Sequence, residues 1–92
     1  MIYININRKD PDSVEDFLID WTSWLSGSDS IAAATFTAQT GLTIQSHSFT
    51  DTTATVWLSG GTAGTSYRVT CHVTTSGGRQ ADGSFIIDCR EL

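Results

Sequence analysis

The sequence predicts an all-β protein: an immunoglobulin-like antiparallel β-sandwich of about seven strands with an extended N-terminal arm. Three observations predict it. The first is Thr53–Thr74, where two alternating runs flank the hinge Gly60-Gly61-Thr62-Ala63-Gly64-Thr65. Ala54, Val56 and Leu58 share one parity, and Tyr67, Val69, Cys71 and Val73 share another. A period of two puts one set on a core and its neighbours toward solvent or a partner. The second is that short runs of this kind recur along the chain with turn residues between them. The third is that no long helical pattern alternates with the strands, so a parallel α/β sheet is disfavoured.

Each element follows from its own residues. Ile2, Ile4 and Ile6 alternate with Tyr3, Asn5 and Asn7, a strand signal at the extreme terminus. Arg8-Lys9-Asp10-Pro11-Asp12-Ser13 breaks it, and the single proline pushes Asp10 away from helix. Residues 1–7 read as an arm and 8–14 as a linker or turn. The domain division is thus an arm at 1–8 and one sandwich at 9–92. Phe17, Ile19 and Trp21 share a parity that predicts a strand at 15–21, with Leu18 and Asp20 pointing the other way. A short turn of helix follows at 22–25, stopped by Gly27. Ser30–Gln39 alternates small residues, and Thr40-Gly41 turns the chain. In Leu42–Phe49 the parity breaks between Ile44 and Phe49, which predicts a β-bulge near Ser46 or Ser48. Strands follow at Thr53–Leu58 and Ser66–Thr75. Gly77-Gly78-Arg79 opens a longer loop through Asp82-Gly83, and Ser84–Arg90 closes the fold.

The bulk composition narrows the function. Ninety-two residues make one domain with a modest core. The net charge of −5 disfavours a nucleic-acid partner. No apolar run is long enough for a membrane span, and the first residues lack the charged start and apolar core of a secretory signal. The start therefore reads as cytosolic. Cys71 and Cys89 are too few for a disulfide scaffold or a four-cysteine zinc site. Both lie on the apolar parity of late strands. They are either buried reduced thiols or, as near neighbours in the last hairpin, a disulfide.

Catalytic constellations are not found. His47 and His72 are the two histidines, and each reads as a surface or hydrogen-bonded structural residue. Cys71 and His72 cannot form a dyad, because consecutive strand residues face opposite ways. Asp16 and Asp20 converge only on a helix. Asp10, Asp12 and Asp16 read as a solvated acidic turn rather than a calcium loop. The Gly60–Gly64 glycines join two strands, so they serve turn geometry and not phosphate binding. Lys9, the sole lysine, lies outside the core pattern, which argues against a buried Lys–Asn crosslink. No metal or cofactor is implied.

Two features suggest contacts instead. Trp57 shares parity with Thr53 and Thr55 and points outward. It packs under a loop or the 22–25 turn, sits in an interface, or offers a sugar-stacking platform. The isoleucines of the arm would each forfeit roughly 1.5–3 kcal/mol if left exposed. They add a strand to the protein's own sheet or, in the assembled state, to a neighbour's sheet edge.

The ordered set Asp10-Pro11-Asp12, Ile19-Asp20-Trp21 with Trp24-Leu25, Leu42-Thr43-Ile44, Phe49-Thr50-Asp51 and Trp57–Thr65 resembles the phage fiber-tail adaptor proteins of tailed bacteriophages. The likeness spans nearly all of residues 9–91, and the Trp57–Thr65 stretch leading to Tyr67 is its most specific part. The resemblance implies a non-enzymatic virion structural β-sandwich. It would act as an adaptor linking the head–tail connector or tail to fibres, assembled in the host cytoplasm and located in the virion. Its implied partners are other virion proteins (connector, tail or fibre subunits), in multiple copies of a symmetric assembly, with no nucleic acid and no membrane. It carries no catalytic residues. The arm and the two cysteines fall outside its pattern. The alternative is a capsid decoration or carbohydrate-contacting immunoglobulin-like module. The interface candidates are Ile2, Tyr3, Ile4, Ile6, Trp57, Gly61, Thr62, Gly78 and Arg79.

Overall fold

A computed structural model of the chain describes residues 6–90. Seven strands run in the order β1 (Ile6–Lys9), β2 (Glu15–Asp20), β3 (Ile31–Ala38), β4 (Leu42–Phe49), β5 (Thr53–Gly60), β6 (Ser66–Thr75) and β7 (Gln80–Cys89). They form a four-stranded sheet ordered β1-β7-β6-β3 and a three-stranded sheet ordered β2-β5-β4. All pairings are antiparallel except β1 with β7, which is parallel. This order is compatible with the immunoglobulin-like arrangement, with the first strand laid on the last. There is no helix among the described residues.

The alternation does what the period of two demands. Ala54, Val56 and Leu58 of β5 are fully buried, as are Val69, Cys71 and Val73 of β6 and Ile87 and Cys89 of β7. Phe17 of β2 meets Phe85 of β7 across the sheets, with ring centroids 6.0 Å apart. The bulge falls at Gln45, where the β4–β5 register shifts between Ile44 and Ser46. It returns Phe49 to the inward row opposite Ala54, although β4 is an edge strand and Phe49 stays exposed there. The 22–25 segment is one hydrogen-bonded turn, with the amides of Trp24 and Leu25 both donating to the Trp21 carbonyl.

Four expectations are corrected. Residues 6–9 are a strand of the protein's own sheet, so the linker shrinks to a turn closed by the Ser13 amide donating to the Asp10 carbonyl at 3.0 Å. Residues 2–5 of the expected arm lie outside the described residues. The loop expected at Gly77–Gly83 is short, because β7 already starts at Gln80. Gly83 is a buried strand position, not a turn signal: a Cβ there would lie 2.9 Å from the Trp21 ring, so the glycine makes room for the indole. The cysteines are not neighbours. Cys71 stands opposite Gly83, six positions along β7 from Cys89, or about 20 Å at strand spacing. That is far beyond disulfide reach, and both are free and buried. Burial pushes the Cys71 thiol up to about 12, and burial raises Cys89 as well.

Lys9 is the fourth correction. It belongs to the core, with no accessible surface. Its three N–H groups have three carbonyl acceptors: Ser13 at 2.7 Å, Gly60 at 2.8 Å and Asp10 at 2.9 Å. A buried cation is tolerated only when its donors are satisfied in this way. The bonds join β1 of one sheet to the end of β5 in the other. Trp21 is also fully buried. Its indole N–H lacks a well-formed hydrogen bond and interacts with the Cys71 thiol, a weak acceptor.

Lys9→Met fills the same space but takes the lysine donor from the Ser13 and Gly60 carbonyls, while the Asp10 carbonyl keeps the Ser13 amide and hydroxyl. The expected cost is about 2–4 kcal/mol, read as a lower urea midpoint with an unchanged slope. Gly83→Val drives a branched side chain into the Trp21 ring. It is expected to cost about 1–3 kcal/mol, and Trp21→Phe in the same chain should recover part of that loss in a double-mutant cycle.

Candidate interaction surfaces

The sandwich has two ends and two outer faces, and the sequence-predicted contact residues are spread over them. Gly61 and Thr62 lie at one end, beside the Asp10–Val14 turn and the Gln39–Gly41 turn. Gly78 and Arg79 lie at the other, in the β6–β7 turn. Trp57 lies in the middle of the three-stranded face. Ile6 begins β1, paired with Ile86. Ile2, Tyr3 and Ile4 fall outside the described residues. These positions therefore do not converge on one site.

The Gly61 end is built from the close of β5. Gly61 has a φ of 100°, and a Cβ there would lie against the Cys89 sulfur. Only glycine lets the chain turn here while β7 passes underneath. The Thr62 amide donates to the Tyr67 hydroxyl at 3.0 Å. The Gly64 amide donates to the Cys89 carbonyl at 2.8 Å, and the Cys89 amide donates to the Thr65 carbonyl at 3.0 Å. These bonds tie the start of β6 and the end of β7 to the loop between β5 and β6. The exposed tips are Thr62, Ala63 and Gly64.

The opposite end gathers the 21–30 loop, the Thr50–Thr52 turn and the Ser76–Arg79 turn. The Arg79 guanidinium stacks over Trp24 at 4.4 Å, a cation–π contact. Its Nη1 donates to the Ser26 hydroxyl at 3.2 Å and reaches toward the Trp24 carbonyl at 3.4 Å. Trp24 in turn packs edge-on against Trp21 at 5.4 Å. Asp29 Oδ1 accepts from the Gly77 amide at 2.9 Å, the Ser76 hydroxyl at 3.0 Å and the Ser30 amide at 3.0 Å. Hydrogen bonds, led by that from the Thr75 hydroxyl, hold the Asp29 carboxyl below the usual range.

The two outer faces differ. On the three-stranded sheet, Trp57 stands across from Asp16 on β2 and Ser46 on β4. Trp57 is 41% exposed and Leu18 60%, so Trp57 is not sealed beneath the 22–25 turn. Val14, just before β2, is also exposed. Sequence reasoning did not single out Val14 and Leu18, although the outward parity of Leu18 was a usable signal. The outer face of the four-stranded sheet is polar. His72 Nδ1 lies 2.6 Å from the Asp82 carboxylate and Nε2 lies 3.1 Å from Gln80 Oε1. The Asp82 hydrogen bond raises the His72 pKa above its ordinary value. His47, by contrast, is exposed on β4, with its ring 5.8 Å from Phe36.

Because its folded pKa is raised, the His72–Asp82 pair contributes its stability below about pH 6.5 and loses it as pH rises through the folded value. Proton NMR should place the His72 midpoint above 6.5, and Asp82→Asn should bring it back toward that value. The Asp29 carboxyl has the opposite sign. Its contribution stands above the ordinary carboxylate range and is lost as pH falls through the depressed value, so Asp29→Asn should speed amide exchange at Gly77 and Ser30 at neutral pH.

Comparison with known proteins adds a family. No curated protein matches the chain. Residues 9–88 match the family described as Podophage GP4 fiber-tail adaptor protein gp77, and the chain belongs to that family.

Proposed function

We propose that this member of the podophage fiber-tail adaptor family works as a non-enzymatic spacer in the tail region of the virion, joining the head–tail connector or tail to fibres. Family membership over residues 9–88 carries the reading. The architecture supports it, because both ends of the sandwich are pinned. One is fixed by the backbone bonds around Gly61 and the Tyr67 hydroxyl, the other by Asp29 and the Arg79–Trp24 stack. A rod with fixed ends transmits position between two partners and orders little on binding.

In this reading the Thr62–Gly64 tip and the Gly78–Arg79 turn contact different virion proteins. The terminal residues Ile2, Tyr3 and Ile4, leading into Ile6, add as a strand to a neighbouring subunit's sheet. Repeated copies around the particle turn weak contacts into firm attachment. Two buried, unbonded thiols fit assembly in the reducing host cytoplasm.

The test is a phage carrying an altered copy of this chain. Deleting residues 1–5, which spares β1, should give particles that lack the subunit. Arg79→Ala with Trp24→Ala should leave the isolated domain folded yet reduce the subunit or its fibres in purified particles, counted by mass spectrometry and electron microscopy. Particles with full fibre complement from both variants would refute the adaptor contacts.

A further inference from the structure

The five cations of the chain are placed very unevenly. Lys9 is buried, and Arg79 is committed to Trp24 at one end. The other three, Arg8, Arg68 and Arg90, all belong to the outer face of the four-stranded sheet, Arg8 and Arg68 by strand register and Arg90 by its bond to Asp88. In register, Arg8 stands beside Asp88, and Arg68 beside Ile86. Arg90 folds back onto Asp88 at 2.7 Å. Among the described residues the carboxylates of this face are both engaged, Asp88 by Arg90 and Asp82 by His72. Among the described residues Arg8 and Arg68 form no ion pair, so the face keeps unneutralised positive charge around the half-buried Ile86.

The face on the other side of the sandwich has the reverse character. No Lys or Arg occurs in β2, β4 or β5. Its outward row on β2 is Asp16, Leu18 and Asp20, and Trp57 lies beside Asp16 on the central strand. Val14, Leu18 and Trp57 are 56%, 60% and 41% exposed. They form an apolar centre with unpaired acidic charge beside it. Arginine suits such a surface, because its plane stacks on an indole while its fork reaches a carboxylate. The molecule already makes the stacking half of this contact, between Arg79 and Trp24.

We propose that the outer face of β2-β5-β4 is a docking surface for the outer face of β1-β7-β6-β3 of a second copy of this chain. Charge selects this pairing. Two β2-β5-β4 faces would bring together carboxylates with no cation between them, and two β1-β7-β6-β3 faces would bring together unpaired arginines whose neighbouring carboxylates are already engaged. The unlike faces set unpaired arginines against unpaired carboxylates. The chain as a whole carries −5, so copies repel at a distance. At physiological salt that repulsion is screened over about 8 Å, and the local match decides. The contact is heterologous: a docked copy leaves its opposite face free, so the series either closes into a ring or grows open-ended. The inference deepens the repeated-copy part of the adaptor reading, and its test needs no fibre or connector, so the two fail separately.

The test is complementation between copies crippled on opposite faces, using the full chain. One variant carries Trp57→Ala and Leu18→Ser; the other carries Arg8→Glu and Arg68→Glu. All four positions are exposed, and matching thermal melts will confirm that the variants are folded. In sedimentation velocity the unaltered chain is expected to associate with rising concentration and to dissociate with added salt. Each variant alone should associate about tenfold or more weakly. An equimolar mixture should form a dimer and nothing larger, because each pair then has one intact contact and no second one. A chain that stays monomeric at every concentration, variants that associate like the parent, or a mixture with no dimer would each overturn the proposal.

Discussion

A single buried side chain sets the geometry on which the rest depends. Lys9 carries its charge into the core and can stay there only while three carbonyls face it. Two come from the Asp10–Ser13 turn, and one comes from Gly60, fifty-one residues away in the other sheet. Satisfying one amine thus fixes where β1 lies, how the chain turns into β2 and where β5 must end. Misplacing any of the three leaves one donor of a buried amine without its acceptor, which costs about 1–3 kcal/mol. The consequences spread from there. β5 ending at Gly60 puts Gly61 over Cys89, which requires glycine, and the following loop then closes on the Tyr67 hydroxyl. The Gly61 end is rigid because it is packed around a satisfied cation.

This explains what was legible in the sequence and what was not. Parity is local information, so the buried rows of β5, β6 and β7, the outward Trp57 and the bulge near Ser46 could all be read from alternation. Lys9 could not. It sits between Arg8 and Asp10 beside the only proline, a context that reads as surface, and its acceptors include one supplied from the far end of another strand. Gly83 was misread for a related reason. A glycine between Asp82 and Ser84 looks like a turn until Trp21, sixty-two residues earlier, is seen to occupy the place of its missing side chain. Cys71 and Cys89 share a hairpin, but only the register shows that Cys71 sits at its middle, opposite Gly83, and Cys89 at its open end. The candidate contact residues were visible one by one; their distribution over separate surfaces depends on topology.

Pinned ends also limit how this protein can recognise anything. Most of its connections are short, and the longest, between β2 and β3, is held by Asp29 and by the Trp21–Trp24–Arg79 stack. Among the described residues little backbone remains to be ordered at the moment of contact. Affinity must then come from matching preformed surfaces, and the entropy lost on binding is small for the area covered. Such a surface is selective in a simple way: a partner that fits loses nothing to rearrangement, and one that does not fit cannot be accommodated by moving a loop.

The same economy gives the scarce cations their weight. Only 16% of the residues are charged, and Ser and Thr hold many of the outward strand positions of β3 to β6. In a protein with many charges, one arginine more or less on a face matters little. Here, with one cation buried and one stacked on Trp24, the remaining three decide the sign of an entire sheet face, and their absence from the other decides the second. A thin sandwich with faces of opposite sign has a direction across its layers. Its strands and pinned ends supply another direction, along the rod. A subunit with both can meet one set of neighbours through its ends and another through its faces, because the two kinds of contact use residues that do not overlap.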